Sequence, residues 1–338
     1  MLAVTGNAQT HRVTISPIVA AARLLDEAGV DAAAVLRSAG LDTRLLANAD
    51  STITYAEMGR LLNACLAATG DESFALRVGL AAGPGALKAL GFLALNTPNV
   101  RGALTTLKKY LHQVAGMIDI EEGGGLCCFD YSFFYPQLDG ARLIVDTAMG
   151  LGIAMLRALC GPAWLPTEVR FMRPLPQQPE SWKRLVQAPL SFGAERNLII
   201  FQSRWLDQSV ERADPTLRQL LLNKLAELEG REGVSDVDRI AILIRSCVLA
   251  GEPTLEQVAG RMAISPATLK RRLRAAGTSF QLLLDKTRFE MACHMLRDTR
   301  AGIAQITDVL GYGHTSTFTR AFGRWAGVSP CKWRQTRV

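Results

Sequence analysis

Ser265-Pro266-Ala267-Thr268-Leu269-Lys270-Arg271-Arg272-Leu273-Arg274 opens on a helix-capping residue, followed by a proline at the first helical position, where a missing N–H costs nothing. Leu269 and Leu273, one turn apart, supply an apolar face, while Ala267, Thr268, Lys270, Arg271, Arg272 and Arg274 cover the rest of the cylinder. Upstream, Leu255, Val258, Ala259 and Met262 predict a short helix with one buried face, and Ala263-Ile264 a turn. A short helix, a turn and a second helix presenting long cationic side chains outward is the helix-turn-helix layout. The pattern then recurs, because Leu269, Arg271 and Leu273 match Phe318, Arg320 and Phe322 at a constant offset of 49 residues. The second copy has Ile303, Ile306 and Leu310 on its first helix and Gly311-Tyr312-Gly313 as its turn. Between the copies, Phe280 to Leu296 reads as one helix with Leu283, Leu284, Ala292, Met295 and Leu296 apolar, which predicts a fixed separation.

Charge is concentrated in the same region. From residue 240 onward 15 Lys and Arg stand against 6 Asp and Glu, a net of +9, whereas residues 1–239 carry 23 against 25, a net of −2. A basic module joined to a near-neutral one predicts that one part meets a polyanion, with double-stranded DNA as the foremost partner. At 338 residues, 49% hydrophobic and 20% charged, the chain has the composition of about two soluble globular domains.

Several classes are expected to be excluded. The apolar stretch Leu143 to Cys160 is broken by Asp146 and Arg157, leaving ten uncharged residues where a membrane span needs about 20, so no membrane partner is expected. Arg12 is not followed by a continuous apolar run, so no secretory signal is read and a cytoplasmic chain is expected. Cys65, Cys127, Cys128, Cys160, Cys247, Cys293 and Cys331 show no C-x-x-C spacing, and His11, His112, His294 and His314 are scattered, so free thiols are expected and neither metal nor cofactor. Adjacent Cys127 and Cys128 would point to opposite faces of a strand. There is no H-E-x-x-H, G-x-S-x-G or Walker stretch, and Gly83-Pro84-Gly85 lacks the lysine and spacing of a phosphate loop; no catalytic residue is assigned and no enzyme is expected.

Residues 1–229 read as an α+β domain. Helices are expected over Pro17 to Ala28, Asp31 to Ala39, from Thr54 with Glu57 at capping-box spacing, over Gly85 to Leu95, and from Thr97-Pro98-Asn99 with the proline at the first helical position. After Gly116 the period changes to two, with Met117 to Glu121 and Leu126 to Phe134 forming a hairpin around Gly123-Gly124-Gly125 that places Cys127, Phe129, Tyr131 and Phe133 on one face. A helix to Leu159, strands at Val169 to Met172 and Leu198 to Phe201, and a helix from Arg212 to Glu229 complete it. In that last helix Leu217, Leu221 and Leu228 form a stripe that packs either on its own domain or on a second subunit of a homodimer. The polar, glycine-punctuated Glu229-Gly230-Arg231-Glu232-Gly233 suggests a linker over 230–238, with an all-α domain holding both helix-turn-helix motifs at 239–338.

Gly311-Tyr312, Phe318-Thr319-Arg320-Ala321-Phe322, Trp325, Gly327-Val328-Ser329-Pro330 and Trp333-Arg334, with Ser265-Pro266, Leu269-Lys270-Arg271-Arg272-Leu273, Gly277-Thr278-Ser279-Phe280, Arg288, Ala292 and Leu296 upstream, resemble the C-terminal domain of the AraC/XylS family of bacterial transcription regulators. Thr307, His314 and Ala263 depart from the family's commoner residues. The resemblance implies two recognition helices in successive major grooves, with Ala267, Lys270, Arg271, Thr315, Ser316, Thr319 and Arg320 at base-facing positions. Arginine suits bidentate contact with guanine, although Arg320 is also open to a local anchoring role. Arg272, Arg274 and Arg324 read as phosphate or solvent residues, and His314 is open to capping its helix, touching phosphate or facing water.

More loosely, Gly91-Phe92-Leu93-Ala94-Leu95-Asn96-Thr97-Pro98-Asn99-Val100 and Leu190-Ser191-Phe192-Gly193 resemble the effector domain of the arabinose-binding-type branch that includes ornithine regulators. That implies a small-molecule effector, and family habit implies an activator that works with RNA polymerase. A pocket between hairpin and helices would be lined by Phe129, Tyr131 and Phe133, with Arg142, Arg170 or Arg173 available for a carboxylate; an amino acid and a fatty or aromatic acid both remain open. A constitutive DNA binder is the competing reading, against which the size of the upstream domain argues.

Overall fold

In the computed structural model, which describes residues 12–47, 51–111, 116–133, 138–211, 213–229, 236–249, 251, 253–262, 264–298 and 301–335, several helices begin where the sequence offers a capping side chain. The chain divides into two compact units, Asn7–Gly233 and Val234–Val338. In the first, β1 (Arg12–Thr14) pairs antiparallel with β2 (Thr52–Thr54) around α1 (Ser16–Glu27) and α2 (Ala32–Ser38). α3 (Tyr55–Thr69) starts with the expected capping box: the Glu57 N–H donates to the Thr54 hydroxyl, and the Glu57 carboxylate accepts from the Thr54 N–H at 2.7 Å. α4 (Phe74–Ala82), α5 (Ala89–Leu95) and α6 (Val100–Tyr110) follow.

Two expected helices are corrected. The one from Gly85 to Leu95 is broken, because Pro84–Leu87 makes a separate 3₁₀ turn and Lys88, at φ 46°, redirects the chain. The break folds α5 back so tightly that a Cβ on Gly91 would collide with the Pro84 carbonyl. Pro98 does not open α6; Asn99 caps it instead, accepting from the Gly102 N–H at 2.9 Å, and the Pro98 carbonyl accepts from Val210 N–H.

β3 (Gly116–Gly123) and β4 (Leu126–Phe133) form the hairpin, closed by Gly124 and Gly125 at φ 60° and 77°, as a right-twisted two-residue turn demands. α7 (Ala141–Cys160), β5 (Glu168–Phe171), α8 (Pro179–Val186), β6 (Leu190–Phe192) and β7 (Asn197–Gln202) complete a mixed sheet of order β3-β4-β7-β5-β6, parallel only between β5 and β6. This is the expected α+β class. Cys127, Phe129, Tyr131 and Phe133 are all buried, and Cys128 faces the other way, half-buried. By length and hydropathy α7 would serve to cross a membrane, yet 13 of its 20 residues are buried within this unit. It crosses α4 backbone to backbone: a Cβ on Gly79 would meet the Thr147 carbonyl, and one on Gly150 the Leu76 carbonyl. On its other side Asp146 receives Arg173 at 2.8 Å, both nearly inaccessible, and the guanidinium lies 4.5 Å from the centre of the Trp182 ring.

α9 (Pro215–Glu229) packs against α5. The leucine stripe divides: Leu221 and Leu222 pack on the core of their own unit, while Leu217 and Leu220 are 40% and 62% exposed. The Leu225 and Leu228 side chains, like residues 230–235 and Ala263, lie outside the described residues.

The second unit is all helical: α10 (Asp236–Leu249), α11 (Leu255–Arg261), α12 (Pro266–Ala275), α13 (Phe280–Asp298), α14 (Ile303–Val309), α15 (Thr315–Ala326) and α16 (Pro330–Gln335). One apolar cluster holds Leu269 and Leu273 of α12, Leu283, Leu284, Ala292 and Leu296 of α13, and Phe318 and Phe322 of α15.

Candidate nucleic-acid interface

The start of α12 is fixed by Ser265, whose hydroxyl accepts from the Thr268 N–H at 3.1 Å, with Pro266 as first helical residue. Leu269 and Leu273 are fully buried, which turns Ala267, Arg271 and Arg274 to the opposite, exposed side; Lys270 and Arg272 are exposed on the two flanks. Ala267, Arg271 and Arg274 follow the three-and-four spacing of a single ridge.

α15 is held differently. Gly311, at φ 70°, makes the turn, and the Tyr312 N–H donates to the Thr307 carbonyl at 3.1 Å. Thr307 is buried, and its hydroxyl is satisfied by the Ile303 carbonyl at 2.7 Å. From α13, Arg288 donates to the Leu310 carbonyl at 3.0 Å and stacks 4.7 Å from the Tyr312 ring centre, so a cation seals the C-terminal end of α14. Burial of the Tyr312 ring pushes its hydroxyl above the ordinary value. Arg334 of α16 donates to the Leu296 and Ala301 carbonyls at 3.0 and 2.7 Å, pinning the far end of α13 to the start of α14.

His314 occupies the N-cap position in extended conformation and makes no side-chain cap bond, which removes capping from its three readings. His314, Thr315, Ser316, Arg320 and Arg324 are exposed and Thr319 half-buried, opposite Phe318, Ala321 and Phe322. Arg320 borders a cleft of about 370 Å³ with Asp285, Arg288 and Arg324, and Arg324 reaches Asp285 at 3.6 Å. Arg245 of α10 is half of a half-buried pair with Glu290 at 3.2 Å, and desolvation lowers its pKa. Sequence charge counts Arg245, Arg288 and Arg334 with the rest; the fold directs all three inward to carbonyls or a carboxylate.

The first unit contains a cavity of about 100 Å³. Phe129 and Tyr131 line it as the hairpin reading expects, but Phe133 does not; its ring packs 5.4 Å from Tyr55. Arg142, Arg170 and Arg173 do not line it. Arg142 is exposed, Arg170 is exposed and bonded to Glu168 at 2.8 Å, and Arg173 is committed to Asp146. Much of the remaining wall comes from Tyr55 and Met58 of α3, Leu104 and Leu107 of α6, and residues of α7 between Ile144 and Leu156. Those residues read in the sequence as ordinary core stripes, and nothing in their spacing separates a cavity wall from packing.

Comparison with known proteins assigns both halves. The family described as the arabinose-binding domain of AraC transcription regulators, N-terminal, matches residues 29–210, and a helix-turn-helix domain family matches residues 258–336. The chain is 27% identical to an uncharacterized HTH-type transcriptional regulator of Mycobacterium bovis, over 91% of this chain and 92% of that one. It is 25% identical to the ornithine utilization regulator of Pseudomonas aeruginosa, over 94% and 96%. Among solved structures, the transcriptional regulator CdpR of Pseudomonas aeruginosa matches with TM-score 0.40 and 22% identity, over 77% of this chain and 86% of that one. With its N-terminal and C-terminal parts both matched by the domains of one regulator type, the chain belongs to the AraC family of DNA-binding transcription regulators.

Proposed function

We propose that the chain is an effector-responsive homodimeric activator of the bacterial cytoplasm, acting with RNA polymerase, in which α12 and α15 enter successive major grooves and the first unit receives a small molecule. The reading assigns no reaction to the chain. Arg271 and Arg320 act as guanine readers, Lys270, Thr315, Ser316 and Thr319 as neighbouring base or phosphate contacts, and Arg272, Arg274, Arg324 and His314 as backbone contacts. The observation that carries it is the pair of helices, 49 residues apart in register, that bury Leu269 and Leu273 or Phe318 and Phe322 in one cluster and turn cationic or hydroxyl residues outward. Domain limits of 1–229 and 239–338 belong to the same proposal, with the expected linker of 230–238 cut to 230–235 because α10 opens at Asp236.

Genome-wide selection of DNA fragments on the purified full-length protein, at stated salt and with and without small metabolites, tests it. The expected result is a recurrent motif of two blocks about one helical turn apart, whose recovery changes with metabolites. Fragments without any shared motif would leave only non-specific phosphate binding.

A further inference from the structure

The cavity of the first unit is chemically narrow. Among the described residues that line it none is charged, and the only side-chain polar atoms are the hydroxyls of Tyr55, Tyr131 and Thr147. Thr147 is already committed, donating to the Leu143 carbonyl at 3.0 Å. Tyr131 is not: the residue is 8% exposed and lines the cavity, and no protein group accepts from its hydroxyl among the described residues. Burial alone pushes that phenol above its ordinary pKa, so it is an O–H donor at any physiological pH. A donor on the wall of an apolar cavity, not committed to a protein acceptor, is available to a ligand that brings one.

Three ligand classes can be weighed against this wall. A carboxylate or an amino acid would surrender its hydration with no cation to meet it, since Arg173 is held by Asp146 and Arg142 and Arg170 are exposed. A sugar would bury several hydroxyls against leucine, methionine and phenylalanine. A neutral apolar body with one carbonyl oxygen satisfies both the wall and the phenol. For size, an apolar cavity of about 150 Å³ takes benzene; one of about 100 Å³ takes a small ring or a short alkyl group.

We propose that this cavity binds an uncharged, largely apolar small molecule through one acceptor oxygen, of ketone, ester or lactone type, that receives the Tyr131 O–H. The assignment rests on the effector reading and specifies its ligand. The full-length protein is titrated with a matched series: cyclopentanone, cyclopentane, cyclopentanecarboxylate, L-ornithine and L-arabinose, with binding read by ligand-observed NMR and by the rise in unfolding temperature. Cyclopentanone is expected to bind best. Tyr131→Phe should weaken it about tenfold while leaving cyclopentane unchanged. Ala148→Leu, which adds bulk to the cavity wall, should abolish both, with circular dichroism reporting that each variant is folded. Equal effects of Tyr131→Phe on ketone and hydrocarbon would overturn the acceptor assignment. Tighter binding of the carboxylate, ornithine or arabinose, lost in Ala148→Leu, would overturn the neutral class and leave the effector reading standing. Absence of binding by the whole series would make the cavity a packing void, whereas metabolite dependence in the DNA selection tests effector response independently of this site.

Discussion

Arg271 and Arg320 share a register and meet different surroundings. Arg271 stands on an open ridge with Ala267 and Arg274, whereas Arg320 borders a cleft that also holds Asp285. Arg271→Ala should therefore lose about 1 to 3 kcal/mol of specific affinity and relax one base position, with little change on random DNA. Arg274→Ala should weaken specific and random DNA alike and flatten the salt slope, and fluorescence anisotropy across a salt series separates the two. A sequence-selective loss at Arg274 would contradict its phosphate role. In the first unit, burial pushes the Asp146 carboxyl up to about 7 despite the attraction of Arg173. An unfolded aspartate titrates near 3.9, so the folded state holds this proton more tightly between about 4 and 7. The contribution is full below about 4, declines as pH rises through 7 and is flat beyond. Urea midpoints of wild type relative to Asp146→Asn should thus fall from pH 5 to pH 7.5; a rise would refute the burial argument. At pH 8, where Asp146 is ionised, Arg173→Ala should cost about 3 to 5 kcal/mol by leaving the carboxylate buried alone.

Elements declared by caps and periodicity were readable in advance. Thr54 with Glu57, Ser265 with Pro266, and the alternating Cys127, Phe129, Tyr131 and Phe133 each specify a helix start or a strand face by local chemistry. What escaped reading depends on contacts far along the chain. Lys88 breaks a periodic stretch because α5 must seat Gly91 on the Pro84 carbonyl, and α4, α8 and β6 are short segments ordered by what they pack against. The helix faces proposed to meet DNA follow from a pattern the sequence displays, charge outside and leucine inside; the cavity has no such signal, because its wall residues look like core. α9 shows the same limit, since a leucine stripe does not say which of its members faces inward. Leu221 packs on its own unit, so Leu221→Asp should unfold that unit, while Leu220→Asp, at a 62% exposed site, should leave it folded and, if α9 is the dimer surface, yield monomers in sedimentation. A folded, dimeric Leu220→Asp would place the dimer contact elsewhere.

At the scale of the whole chain, a DNA-reading unit with one core is joined to a larger α+β unit. Because α12, α13 and α15 share that core, the two reading helices do not move independently. Inserting about five base pairs between the operator blocks should reduce binding to that of one block, and inserting about ten should do the same; recovery at ten in a gel-shift series would show that the helices can separate. α13, at 19 residues, is roughly 28 Å long, shorter than the roughly 34 Å between successive major grooves on one side of straight DNA. Arg288 and Arg334 clamp this helix to α14 by its carbonyls, so the protein has little give with which to close the difference. Should α12 and α15 dock in successive grooves as proposed, at a spacing set by α13, the duplex would curve toward the protein, and base steps that no side chain touches would enter the affinity through their stiffness. An operator for such a gauge is selected for its pliability between the blocks as well as for its letters within them.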